Sequence, residues 1–246
     1  MFIFHSRNLP SAEDLKNASV SESTKIFDRD GELLYEVHGN EKRTVVPLSE
    51  MSDWIKKATI ALEDDEFYSH SGYDIKAIAR SGACLALRTV RTILFFLPDC
   101  RFSGASTITQ QFVKNAYISN EVTINRKIKE LILATRVEDT FTKDEILALY
   151  LNRIPYGGTL YGVEAASQAY FGIPAKDLSL MQSAIIASIP NKPSKYSPFI
   201  GNRDMLLGRA EYALSRMIIV GMIDEKEKEQ ALSEEIVFEN KADSDE

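Results

Sequence analysis

Thr142-Lys143-Asp144-Glu145-Ile146-Leu147-Ala148-Leu149-Tyr150-Leu151-Asn152 begins with a hydroxyl, sets a glutamate three residues later and continues into an apolar run. That order is a capping box: the Thr142 side chain takes a free N–H of the first helical turn, and Glu145 reaches back to the cap. The same signal recurs at Ser179-Leu180-Met181-Gln182 and Asp224-Glu225-Lys226-Glu227. Ile124, Ile128, Leu131 and Ile132 recur at helical spacing and predict one buried face. Trp54 to Leu62 predicts another helix, with Trp54, Ala58, Ala61 and Leu62 on a common face. Asn202 to Leu232 forms a further helical run. Gly157-Gly158, Gly172 and Gly221 follow apolar runs as stop signals. One stretch reads differently: in Lys25 to Val37 the turn dipeptide Asp30-Gly31 separates two apolar-rich runs, the mark of a hairpin. No internal repeat occurs. The reading is a mainly α domain of about eight to ten helices with a small β-hairpin at its entrance.

The 246 residues, 44% hydrophobic and 26% charged, suffice for a sizeable core and exclude disorder and fibrous repeats. The net charge of −7 excludes a uniformly basic nucleic-acid binder. That charge is uneven, however. Asp224 to Glu246 holds ten acids against three bases and so carries all of it, whereas Arg80 to Glu130 holds eight bases against three acids. An anionic substrate or surface can be met in that second stretch. Cys84 and Cys100 make no disulfide framework or metal-ligand spacing and are expected as unpaired thiols. Met1-Phe2-Ile3-Phe4-His5 is too short for a signal peptide or a spanning helix, so a membrane anchor is expected to be absent from this chain.

Four stretches can carry chemistry. Leu85 to Leu97 contains Ile93-Leu94-Phe95-Phe96-Leu97 flanked by Arg88, Arg91 and Arg101. It is too short to span a bilayer and reads as a buried helix or as an interfacial patch with arginines at the headgroups. Glu63-Asp64-Asp65-Glu66 follows an apolar helix, and mutual repulsion raises the proton affinity of the least solvated acid. The run reads as a site for a general base or as a solvated acidic turn. Gly104-Ala105-Ser106-Thr107-Ile108-Thr109-Gln110-Gln111, leading into Phe112-Val113-Lys114-Asn115, suggests a tight turn opening a helix whose free N–H groups suit an anion or a sugar. It lacks the ending of a P-loop. Arg126 and Glu130 lie one turn apart and read, in isolation, as a surface ion pair.

Together these stretches say more. Glu63-Asp64-x-x-Phe67-x-x-His70-x-Gly72, Gly104-x-Ser106-Thr107-Ile108-Thr109-Gln110-Gln111, Arg126-Lys127-x-x-Glu130, Lys143-x-x-Ile146-Leu147-x-x-Tyr150-Leu151-Asn152 and Gly162-Val163-Glu164-Ala165-Ala166 with Tyr170-Phe171-Gly172 occur in that order. The order resembles the peptidoglycan glycosyltransferase domain, glycosyltransferase family 51, of class A penicillin-binding proteins and monofunctional cell-wall glycosyltransferases, from about Ile26 to Leu232.

The resemblance implies a mainly α, lysozyme-like two-lobed helical fold with a membrane-facing jaw. It implies an inverting hexosyltransferase that polymerises lipid II into β-1,4 glycan with release of undecaprenyl pyrophosphate. In that reading Glu63 is the general base and Glu130 the second essential carboxylate. Lys114 neutralises the pyrophosphate, with Arg126 and Lys127 supporting the site. Asp64, Phe67, His70, Ser106, Thr107, Gln110, Gln111 and Asn115 line the sugar and phosphate sites, and Ile93 to Leu97 contact the membrane. Val122 stands where the family usually carries a phosphate-binding arginine. Ala105 and Gln182 replace a frequent glycine and a frequent glutamate. A lysozyme-like glycan-cleaving enzyme and a non-catalytic lipid II-binding module are the alternatives.

The expected partners are lipid II, the growing glycan, the bacterial membrane surface and other cell-wall proteins, without nucleic acid, on the extracytoplasmic face of the plasma membrane. Moenomycin-type phosphoglycolipids, which occupy the donor site in the family, are expected to bind. No cofactor is required by any ligand spacing, though a divalent cation such as Mg²⁺ could bridge carboxylate and pyrophosphate. No Ser-x-x-Lys motif is present, so penicillin binding is not expected of this chain. The predicted organisation is a polar lead-in over 1–23, the hairpin element over 24–47, the glycosyltransferase domain over 48–232 with its jaw near 80–103, and an acidic tail over 233–246.

Overall fold

A computed structural model describes residues 10, 23–27, 29, 33–37, 41–76, 79, 106–117, 123–199 and 201–239. The expectations for Cys84, Ile93, Leu94, Phe95, Phe96, Leu97, Cys100, Ala105 and Val122, and for most of the lead-in, lie outside these residues.

Strands β1 (Thr24–Phe27) and β2 (Leu33–Val37) pair antiparallel, with Ile26 opposite Tyr35 and a register shift before Phe27. A second small antiparallel pair, β3 (Pro155–Gly157) and β4 (Leu160–Tyr161), occupies what sequence alone marks as a helix stop. Pro155 ends the preceding helix because it cannot continue the hydrogen-bond ladder. The chain after the first hairpin joins this second one, as Lys42 N donates to Thr159 O and Tyr161 N to Lys42 O.

The rest is helical: α1 (Asp53–Glu63), α2 (Ile108–Tyr117), α3 (Ile124–Thr140), α4 (Lys143–Arg153), α5 (Val163–Phe171), α6 (Leu180–Ser188), α7 (Pro193–Tyr196), α8 (Arg203–Ile219) and α9 (Glu225–Leu232). All three predicted capping boxes form, at Thr142, Ser179 and Asp224. Each cap contributes about 1 kcal/mol by satisfying N–H groups that have no partner within the helix. Gly172 closes α5 in the left-handed conformation, as its stop signal requires.

α6 is apolar nearly all round and lies at the centre, with α1 and α8 packed on it. α2 packs on α3 and α4. One predicted face holds and one is rotated. In α1 the buried residues are Ile55, Ala58, Thr59, Ile60 and Ala61, and Trp54 and Leu62 are half-buried and pack against the same core. In α3 the buried face is Glu130, Leu133, Ala134 and Val137, and Ile128, Leu131 and Ile132 are only half-buried. Apolar spacing located both helices, but it could not anticipate that a glutamate would take a buried position.

Asn152 joins α4 to the segment before α1: its amide nitrogen donates to Val46 O and Ala148 O, and its oxygen accepts from Val46 N. Gly162, with φ of +84°, starts α5 directly against this point, and a Cβ there would lie 2.8 Å from Asn152 O. Gly162→Ala is therefore expected to cost about 1–3 kcal/mol, through an unfavourable φ and a backbone clash. Thermal unfolding checks this, and an unchanged Tm would contradict it.

Candidate active site

The four consecutive acids at the end of α1 do not form one repelling cluster, because the chain turns and gives each its own partner. Glu63, the last residue of α1, accepts from Gln111 Nε2 at 2.7 Å and lies 3.9 Å from the Arg209 guanidinium of α8. Asp64 meets His70 and the start of α2. Asp65 pairs with Arg216 of α8 at 2.6 Å, and Glu66 pairs with Lys76. Only Glu63 and Asp64 are deeply placed.

Asp64 uses both carboxylate oxygens. Oδ2 accepts from Ile108 N at 3.0 Å, so the carboxylate sits at the N-terminus of α2, where unpaired N–H groups and the helix dipole stabilise negative charge. Oδ1 lies 2.8 Å from His70 Nε2. Gly72 N donates to His70 Nδ1, which leaves the ring hydrogen on Nε2 to be donated to Asp64. Thr107 caps the same helix by accepting from Gln110 N, and its hydroxyl donates to Gly72 O. These contacts fasten the Glu63–Gly72 loop onto α2. Asp64→Ala removes the acceptor of Ile108 N and the His70 partner together, leaving Thr107 as the cap. It is expected to cost about 2 kcal/mol, measured by chemical denaturation, and unchanged stability would show that the loop is held otherwise.

Phe67 is fully buried. It lies edge-on to Tyr68 and His70 and under the Lys143 ammonium, 4.5 Å from the ring centre. Lys143 also pairs with Glu138 at 2.8 Å, and Glu138 accepts from the Thr109 hydroxyl. This network ties the starts of α2 and α4 to the end of α3. Phe67, expected from sequence at the substrate surface, is thus in the core.

The second carboxylate is reached through the same turn of α2. Gln110 Nε2 donates to Gly72 O, and its Oε1 accepts from Lys127 Nζ at 3.0 Å. Lys127 donates also to Ser106 Oγ at 2.8 Å and pairs with Glu130 at 3.1 Å, so all three of its N–H groups have acceptors. Arg126 Nε lies 3.0 Å from the other Glu130 oxygen without hydrogen-bond alignment. Glu130 is buried, so the expected exposed pair is instead a carboxylate wedged between two cations. Lys114 and Asn115 are exposed one turn beyond Gln110 and Gln111 on the same helix.

Three residues near Glu63 escaped the sequence reading. Tyr150 of α4 donates its hydroxyl to Gln111 Oε1 at 3.2 Å. Tyr156 of β3 has a buried hydroxyl without a hydrogen-bond partner. Burial, and then the nearby Glu63 charge, raises the proton affinity of both phenols, so both stay neutral. Arg209 donates to Ser188 O and stacks over Tyr196. Tyr150 stands in one of the ordered motifs without a role, and Tyr156 and Arg209 carry no local signal, since each reaches Glu63 from a distant element.

Among the described residues there is no group of three or more His, Cys, Asp or Glu placed to hold a metal ion, and no helix long and apolar enough to cross a membrane.

A mainly helical domain thus presents a buried carboxylate, Glu130, and a partly buried one, Glu63, from separate helices, joined through neighbouring glutamines and bordered by cations. That set suits transfer at a sugar centre, where one carboxylate takes a proton and cations receive a leaving anion. Residues 30–218 match the family model described as transglycosylase. Penicillin-binding protein 1A of Pseudomonas aeruginosa is 38% identical over 96% of this chain and 27% of its own length. Penicillin-binding protein 2D of Bacillus subtilis is 39% identical over 91% of this chain and 31% of its own. The crystal structure of penicillin-binding protein 1A from Haemophilus influenzae aligns with 91% of this chain and 22% of that one, at 24% identity and a TM-score of 0.48. The chain belongs to the transglycosylase family. It spans under a third of the length of these relatives.

Proposed function

We propose that this domain is a peptidoglycan glycosyltransferase that polymerises lipid II at the extracytoplasmic face of the bacterial plasma membrane. The observation that carries the reading is the turn of α2 at Gln110 and Gln111: one glutamine holds Glu63, and its neighbour holds the Lys127–Glu130 cluster. Glu63 takes the proton of the acceptor sugar's 4-hydroxyl. The freed oxygen attacks the donor's anomeric carbon from the face opposite the pyrophosphate. The bond from carbon to phosphate oxygen breaks, and the configuration inverts. Exposed Lys114 meets the departing pyrophosphate first. Arg126 and Lys127 meet it by exchanging Glu130 for phosphate oxygens, which makes Glu130 the group that keeps both cations in place between turnovers. Fixed cations stabilise developing charge without donating protons. A divalent ion fits poorly at Glu130, because it would displace Lys127 from a carboxylate already flanked by two positive charges.

The test is polymerisation of purified, fluorescently labelled lipid II by this chain in detergent or vesicles. The expected product is a ladder of glycan strands that lysozyme digests. Cleavage of preformed glycan, or lipid II binding without polymer, would overturn the reading.

A further inference from the structure

The reading of Glu63 as a base leaves open what holds its carboxylate in place. The surroundings of the two oxygens differ. Oε2 accepts from Gln111 Nε2 at 2.7 Å. Oε1 is buried, has no hydrogen-bond partner and faces Arg209 only at 3.9 Å. The Gln111 amide is itself oriented. Tyr150, fully buried in α4, donates its hydroxyl to Gln111 Oε1, which leaves Nε2 pointing at the carboxylate. Reversing the amide would set its oxygen against the Glu63 oxygen. Because burial and the nearby Glu63 charge favour the neutral phenol, Tyr150 remains a donor.

We infer that Tyr150 and Gln111 are positioning residues that lock the Glu63 carboxylate through Oε2 and so fix the orientation in which it meets the acceptor sugar. The inference rests on the assignment of Glu63 as general base. Holding one oxygen fixes the rotation of the carboxylate before the hydroxyl arrives. Positioning of this kind is read in kcat rather than in substrate affinity. Tyr150 and Gln111 form one relay, so removing the second member after the first should cost nothing more.

The experiment measures lipid II polymerisation and Tm for Tyr150→Phe, Gln111→Leu, their double variant and Glu63→Gln. Tyr150→Phe is expected to lower kcat roughly tenfold with KM unchanged, the effect of one lost orienting hydrogen bond. The double variant is expected to match Gln111→Leu alone in kcat. Wild-type kcat in Tyr150→Phe would overturn the relay, and so would losses that multiply in the double variant. Should Tyr150→Phe fail to fold, Gln111→Leu decides: lower kcat at unchanged KM supports the lock, and wild-type kcat refutes it. Glu63→Gln separates the two claims, since a fully active Glu63→Gln removes the base itself, whereas an inactive one beside a normal Tyr150→Phe removes only the relay.

Discussion

Glu63→Gln is expected to lower the rate of lipid II polymerisation by about 10²–10⁴-fold, the usual contribution of a positioned general base. The substitution keeps the shape of the side chain but replaces a proton acceptor by an amide that cannot accept a proton. Gln111 Nε2 can still donate to the new amide oxygen, so the hydrogen bond that now reaches Oε2 at 2.7 Å has a replacement. Arg209 loses a charge only 3.9 Å away, yet it keeps Ser188 O and the face of Tyr196. The variant should therefore fold with a Tm close to wild type and bind lipid II normally. Steady-state kinetics together with thermal unfolding would separate the lost chemistry from lost structure. Polymerisation at the wild-type rate would remove Glu63 from the role of base.

Phe67→Ala is expected to have the largest effect on stability, about 3–5 kcal/mol, the cost of truncating a fully buried phenylalanine to a methyl group. For a domain of this size that lowers Tm by roughly 6–20 °C. The ring underlies Lys143, which pairs with Glu138, and it supports His70 and through it Asp64. A cavity there loosens the loop that presents Glu63, so kcat falls through disorder of the loop. Urea denaturation of Phe67→Ala and Phe67→Leu, the second expected to lose less, checks this. Normal stability with a raised KM would instead place Phe67 against the sugar.

The helices were legible in the sequence wherever the signal is local. Thr142, Ser179 and Asp224 each meet their partner three residues away, so spacing along the chain is spacing in space. Gly172 and Gly221 work the same way, through their own backbone angles. The Gly157-Gly158 stop misled because Pro155 had already ended α4, and the glycines serve the turn between β3 and β4. The face of α3 was misplaced because hydrophobicity alone decided it, whereas Glu130 is buried by pairing with Arg126 and Lys127 on its own helix.

Motif order determined the family and named Glu63 and Glu130, because those residues stand at fixed offsets in one dimension. What each side chain does was decided only in three dimensions. Glu63, Asp64, Asp65 and Glu66 are chemically alike neighbours, yet they were separated by partners that α2, α8 and the loop after α1 bring from elsewhere in the chain. Tyr150 and Arg209 became neighbours of Glu63 only because α4 and α8 pack where they do. Local hydrogen bonds and side-chain periodicity are encoded in short stretches, whereas the partner of a buried charge depends on which distant helices share the core, and that is settled when the whole domain folds.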